Sequence, residues 1–353
     1  MFYLISSITS IFASIIGLTA IIVFHEFGHF IFCKLFNVYT PTFSIGMGKV
    51  IFSKKFGHTN FCLSSTPIGG YVEIATEEGI KGTKGFNQIP YYQKFLIMLG
   101  GIFCNFLLTY LIFAGLLFTG MPESGLPYEV NTTTVAQIPK NSLNKNTLQA
   151  KDRIVAVNNV NINNDASIIK KEALQALKIN KKDLAVTINR QNSNHKILLN
   201  LNPNQNTLSK LIDISFEKKD PLTITASLVK AYELTTFCLN SIIQALKQLF
   251  SSSPNKGFVG PIMAVAVSSK SAQKGLSHLL LLLAIISVNL GLMNLLPLPI
   301  FDGGQFVIFT IEAITRKRLS ERIQNLIGTS SWILAIGLLV IFSLQDLYTL
   351  IFG

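Results

Sequence analysis

The sequence predicts a polytopic α-helical membrane protein: four transmembrane helices, a membrane-associated β-hairpin and one domain outside the bilayer. Three observations lead there. Of 353 residues, 49% are hydrophobic and only 14% charged, and mean hydropathy is +0.45; that balance excludes a soluble enzyme and fits a membrane protein with a substantial polar part. Four apolar segments, at about residues 4–35, 95–119, 277–297 and 331–352, approach the roughly 20 residues that cross a hydrocarbon core. Between the second and third lies an Asn/Lys-rich polar stretch at about 125–220.

The first span starts almost at Met1, has no basic residues ahead of it and runs on without an Ala-x-Ala-like site, so it is expected to be retained rather than cleaved as a signal peptide. It carries His25-Glu26-Phe27-Gly28-His29. Histidines four apart on a helix differ by about 40° in direction and about 6 Å in height, so both rings can meet one metal ion from one side. Hydrolysis at a metal needs a base for the proton of the attacking water, and the carboxylate beside the first histidine is the group metalloproteases use. Such groups inside a span cost several kcal/mol unless they pair or bind something.

Residues 42–73 suggest a hairpin, with strands Lys49–Phe52 and Asn60–Leu63 around a turn from Lys54 to Thr59. Gly46 and Gly48 permit a tight backbone path or belong to an ordinary loop. In the polar stretch, Thr134 onward, Arg153–Val157 and Leu184–Ile188 read as strands and Ala166–Leu177 as a helix. Residues 222–250 mix apolar positions with Lys230, Glu233, Gln244 and Lys247, which predicts an amphipathic helix at the outer interface. The third span ends in Asn294-Leu-Leu-Pro297-Leu-Pro299-Ile-Phe-Asp302-Gly303-Gly304. Broken backbone at membrane depth is tolerated only where it is buried in protein or lines a cavity. Asp302 follows the break and is the best candidate for the third protein ligand that a catalytic zinc requires; the competing reading is a helix-ending Asp-Gly turn.

The net charge of +12 does not indicate nucleic acid, because the basic residues flank spans or scatter through the polar stretch. Lys49, Lys54, Lys55, Lys81 and Lys84 after the first span, and Arg316, Lys317, Arg318 and Arg322 before the last, place both connections in the cytosol by the positive-inside rule. His25 and His29 then lie toward the cytosolic end of their span. The cysteines Cys33, Cys62, Cys104 and Cys238 show no paired spacing, so a disulfide framework is not expected. His58, His195 and His278 fall in a turn, a strand and a helix start and are read as structural.

HEFGH in the first span, Asn294 to Gly304 in the third, Gly46-Met47-Gly48 and Pro67-Ile68-Gly69-Gly70-Tyr71-Val72 together resemble the site-2 protease family of intramembrane zinc metalloproteases. The resemblance runs over nearly the whole chain and is nearest to the bacterial PDZ-containing branch, which cuts anti-sigma factors and signal-peptide remnants in regulated intramembrane proteolysis. It implies Zn²⁺ on His25, His29 and Asp302, Glu26 as general base, and Asn294 holding the substrate backbone or its oxyanion; from the residue alone, Asn294 could equally satisfy backbone freed by Pro297 and Pro299. It also implies a hairpin, with Gly46 and Gly48 as substrate-binding positions, that holds the substrate extended. Gly100 to Asn105 resembles the family's Gly-Pro-x-x-Asn with Ile102 at the usual proline, so Asn105 is read as a polar contact between helices. The polar stretch looks like one PDZ domain, with Lys151 at a usual glycine, and Gly260-Pro261-Ile262 also matches, as a turn into the membrane region.

The implied organisation is a first membrane half at 1–120, an extracytoplasmic PDZ-like domain at 125–203, an interfacial helix and linker at 204–276, and a second membrane half at 277–353. The implied partners are single-span membrane proteins and the lipid bilayer, in a bacterial inner membrane. A metal transporter would need a second ligand cluster along a path, and a non-catalytic scaffold would have no use for Glu26.

Overall fold

The computed structural model describes residues 2–124, 126–203, 205, 207–249, 261–298, 300–317 and 319–352; Pro299, Gly260 and Arg318 lie outside them. The chain divides into one unit of Met1–Gly115 with Ala231–Gly353, and a second of Leu116–Lys230.

In the first unit, α1 (Phe2–Leu35) is an unbroken apolar helix, closed by Asn37 in the left-handed conformation. β1 (Thr42–Phe56) and β2 (Thr59–Val72) follow. Both are longer than the predicted strands, and the turn shrinks to Gly57-His58. The reason is Gly57 at φ +59°, which suits the two-residue hairpin connections whose twist matches the strands. The ribbon is also bent on itself. Thr42–Ile45 run in step with Asn60–Leu63 on one side, while Phe43, Ser44 and Ile45 face Val72, Tyr71 and Gly70 on the other. The bend falls at Gly46 and Gly48, with φ +82° and +88°, a region that side chains with a Cβ rarely enter. α2 (Tyr91–Thr119) starts after Pro90 and stops at Gly120.

The second unit contains β3 (Asn131–Gln137), β4 (Arg153–Val157), β5 (Val160–Asn161), α3 (Ala166–Lys178), β6 (Asp183–Arg190), β7 (Ser193–Asn200), α4 (Leu208–Ile212) and β8 (Ser215–Lys218). The sheet order is β7-β6-β4-β3-β8, with β5 paired to β4. Val135, Ile154, Ile169, Leu184, Ile188 and Leu211 form its buried core. Asp165 caps α3 by accepting from Ser167 N–H at 2.9 Å. The two tight hairpins turn through Asn158-Asn159 and Gln191-Asn192, all four left-handed. Lys151 also sits at φ +70°, a glycine conformation occupied by lysine. Asp152, 1% exposed, receives Arg190 through Nε at 2.8 Å and Nη2 at 2.6 Å.

The first unit resumes along α5 (Ile224–Leu249), the helix expected at the interface, then α6 (Pro261–Gln273), α7 (Leu276–Met293), α8 (Asp302–Thr315) and α9 (Glu321–Phe352). Among the described residues, four helices are long and apolar enough to cross a membrane: Ile8–Leu35, Tyr91–Thr119, Leu276–Met293 and Asn325–Tyr348. Exposed Trp332, Ile333 and Ile341 on the last are side chains a bilayer would cover. With two antiparallel sheets among the described residues, the fold is mixed helix and sheet. The third span also ends earlier than expected, at Met293, because the residue before a proline resists the helical region and the chain unwinds ahead of Pro297.

Candidate active site

On α1, His25 and His29 are 6% and 5% exposed and their Nε2 atoms lie 3.1 Å apart. The protonation pattern of His29 follows from its partner. Nδ1 is 2.7 Å from the carbonyl oxygen of Ile97, which only accepts, so the proton is on Nδ1 and the Nε2 of the neutral ring is bare. Asp302 brings Oδ2 to 3.2 Å from His25 Nε2 and 3.4 Å from His29 Nε2, and this buried oxygen takes no hydrogen bond within the protein. Three electron-pair donors therefore converge on one point, an arrangement that asks for a cation. Zinc bonds of about 2.0–2.1 Å in a tetrahedron set the ligand atoms about 3.3–3.4 Å apart, against the observed 3.1, 3.2 and 3.4 Å. The donor set fits zinc. Among the described residues, this is the one group of three or more His, Cys, Asp or Glu side chains placed to hold a metal.

The loop after α7 delivers Asp302. Asn294 closes that helix, and its carbonyl then accepts from Gly303 N–H at 2.7 Å, which folds the chain back on itself. A Cβ on Gly303 would lie 2.3 Å and 2.4 Å from the carbonyl oxygens of Leu296 and Leu295, so glycine is required there by close approach. Asp302 opens α8 and does not end a helix. The Asn294 backbone N–H donates to Leu290, and its side-chain Nδ2 reaches 3.3 Å from His25 Nε2. That amide is turned to the cluster and not to the backbone freed by the prolines.

α2 forms the floor. A Cβ on Gly101 would lie 2.4 Å from His29 Nε2 and 2.7 Å from His25 Cε1. One turn on, Asn105, fully buried, sets its amide 3.0 Å from His25 Nδ1. Glu26 points away from this floor toward the hairpin, where its Oε2 accepts from Val72 N–H at 3.2 Å. Thr19 holds the same strand by donating to Pro67 carbonyl oxygen at 2.6 Å.

The structure thus gathers His25, His29, Asp302 and Asn294 and seats Glu26 against the hairpin, while Gly46 and Gly48 form the hairpin's bend, outside the cluster. Sequence reasoning did not find Gly101, the Ile97 carbonyl or Val72 N–H, and placed Asn105 only as a helix contact. The glycine–asparagine spacing on the second span was the available signal.

Residues 13–338 match the family described as "Peptidase family M50". A protein of Fusobacterium nucleatum named "Putative zinc metalloprotease" is 29% identical over 96% of this chain and 98% of its own length. Relatives of the same description from Clostridium perfringens and Campylobacter jejuni are 27% and 26% identical, covering 95% and 96% of this chain and 97% and 93% of theirs. The chain belongs to peptidase family M50, the site-2 protease family of membrane-embedded zinc metalloproteases, and its metal is zinc.

Proposed function

We propose that this protein is an endopeptidase that hydrolyses a peptide bond within the transmembrane segment of single-span membrane proteins, with His25, His29 and Asp302 as zinc ligands and Glu26 as general base. The observation that carries the reading is the convergence of two imidazole nitrogens from a helix apolar enough to cross a membrane and one carboxylate oxygen from the start of α8, all within 3.4 Å of one another. Zinc held by His25, His29 and Asp302 would supply Lewis acidity for the scissile carbonyl and the attacking water. Glu26 takes the proton of the attacking water and returns it to the leaving amide nitrogen. Val72 N–H fixes the carboxylate for that transfer. Asn294 Nδ2 donates to the oxygen on which charge develops.

A helical substrate has its backbone bonded internally and must unwind before its carbonyl can reach the metal. The bent hairpin, shaped by Gly46 and Gly48, supplies strand edges on which an unwound segment is held extended. The second unit is read as a PDZ-like domain over about residues 125–203, outside the membrane, binding or filtering substrates already shortened there. The setting is a bacterial inner membrane with the catalytic cluster toward the cytosol, and the substrates are anti-sigma factors or signal-peptide remnants in regulated intramembrane proteolysis.

The test compares purified wild type with Glu26→Gln on a tagged single-span substrate in detergent, recording zinc per chain for both. Wild type cuts, and the variant holds equal zinc without cutting. Equal zinc in both with no cleavage of several substrates by either removes the protease reading.

A further inference from the structure

For His25 to offer Nε2 to a metal, its proton must sit on Nδ1, and Nδ1 must have an acceptor. His29 has one in the Ile97 carbonyl, at 2.7 Å. The partner of His25 Nδ1 is the side-chain amide of Asn105, at 3.0 Å. The oxygen and nitrogen of an amide occupy interchangeable positions, so this contact serves either of two proton arrangements. With Nδ2 toward the ring, asparagine donates, Nδ1 is the bare nitrogen and Nε2 carries the proton; a metal is then refused. With Oδ1 toward the ring, asparagine accepts and Nε2 is bare. Asn105 Oδ1 has no hydrogen-bond partner in the first arrangement although it is buried; turning the amide brings it to the ring and moves Nδ2 to the unpartnered side, so the ring's own proton decides between the two.

Asn105 is itself held. Its backbone carbonyl accepts from Thr109 Oγ at 3.0 Å and from Ser287 Oγ of α7 at 2.9 Å, and Thr109 Oγ also reaches the Ala284 carbonyl at 3.0 Å. Two spans therefore set the height of one amide under one imidazole. Gly101, one turn earlier, leaves room for both rings. The face of α2 that carries these two residues is the positioning surface of the site.

Resting on the assignment of His25 as a zinc ligand, we propose that Asn105 is a positioning residue: in the zinc-loaded protein its Oδ1 accepts from His25 Nδ1–H and fixes the tautomer that leaves Nε2 to the metal.

The proposal separates two substitutions of nearly the same size. Asn105→Asp keeps an acceptor and loses the donor; Asn105→Leu loses both. Zinc release from the full-length protein in detergent is followed with a chromogenic chelator, and the melting temperature of the zinc-free protein is recorded beside it. In Asn105→Asp, zinc release stays within about threefold of wild type; in Asn105→Leu it quickens by roughly 10–100-fold, the usual cost of losing an outer partner of a metal-bound histidine. The zinc-free melting temperature of the leucine variant falls by no more than the loss of one buried contact to His25, too little to account for the faster zinc release. Equal effects of the two substitutions on zinc release, or a fall in zinc-free stability that accounts for the loss, overturn the proposal.

A second readout does not depend on the leucine variant folding well. In cobalt-substituted wild type, the Nδ1–H protons of His25 and His29 give two slowly exchanging, hyperfine-shifted resonances, and both persist in Asn105→Asp. One such resonance in wild type, with normal zinc, refutes the role of Asn105. If wild type and His25→Ala hold zinc equally well, the metal assignment itself fails instead.

Discussion

Placing one methyl group at Gly101 tests the site's geometry without touching a ligand. A Cβ built there lies 2.4 Å from His29 Nε2 and 2.7 Å from both His29 Cε1 and His25 Cε1. Ordinary contact is 3.4 Å or more, so each ring must retreat by roughly 0.7–1.0 Å, several times the ±0.2 Å or so that a metal–ligand bond tolerates. Neither ring is free to swing, because His29 is tied to the Ile97 carbonyl and His25 to Asn105. Forcing a methyl into a packed site costs about 1–3 kcal/mol; if that falls wholly on the loaded state, zinc affinity drops by roughly 5–150-fold. Gly115→Ala on the same helix is the control, since a Cβ there meets nothing within 4 Å. Zinc per chain after dialysis against graded chelator is the assay. Stoichiometric, wild-type-tight zinc in Gly101→Ala would refute the placement of α2 under the rings.

Gly46→Ala puts a Cβ 2.5 Å from the Thr66 carbonyl at φ +82°, so the hairpin bend opens: cleavage of a transmembrane substrate falls at least tenfold while zinc content stays at wild type, read by gel and metal analysis. Lys151→Gly relieves a left-handed lysine and stabilises the second unit by roughly 0.5–1 kcal/mol after the entropic cost of glycine, seen as a higher urea midpoint by tryptic protection. Glu129, 6% exposed, has its pKa raised, burial outweighing Lys170 at 3.8 Å and the Asn131 bonds. A carboxyl whose folded pKa is raised contributes stability that is present below its unfolded value and lost as pH rises through the folded one. Glu129→Gln accordingly protects the second unit more than wild type does at pH 8 and not at pH 4, by hydrogen exchange corrected for intrinsic rates.

How much the sequence disclosed depended on whether a pattern was local. His25, Glu26 and His29 share one helix, and helical spacing alone places both imidazoles on one side. Asp302 was legible through the break before it, but its structural role was not: Asp-Gly-Gly reads as a turn that ends a helix, whereas it starts one, and Gly303 is small because the carbonyls of Leu295 and Leu296 press on it. The hairpin was visible only as two short apolar runs, since its in-step pairing exists only once Gly46 and Gly48 turn the strand. Asparagine abundance, readable as compositional bias, has a structural use: among the described residues, seven of the eleven non-glycine left-handed positions are asparagine, the side chain that tolerates that conformation best.

Gly28 shows why the fourth position of the histidine motif is not filler. Between helices in a membrane there is little hydrophobic gain from contact, and small residues let backbones approach until van der Waals contact and hydrogen bonds hold them. A Cβ on Gly28 would lie 2.1 Å from the Gly100 carbonyl oxygen, and one on Gly100 would lie 2.6 Å from that of Gly28; α1 and α2 meet glycine to glycine. Because the backbones are that close, a main-chain carbonyl on α2, Ile97, can reach His29 Nδ1 at 2.7 Å, and Gly101 and Asn105 can lie against the two rings. Separating the helices by the width of one methyl would break the acceptor of His29 and the partner of His25 together. The His25–His29–Asp302 cluster is therefore positioned by the helix contact as much as by its own side chains, and the glycine inside HEFGH is part of what makes that contact possible.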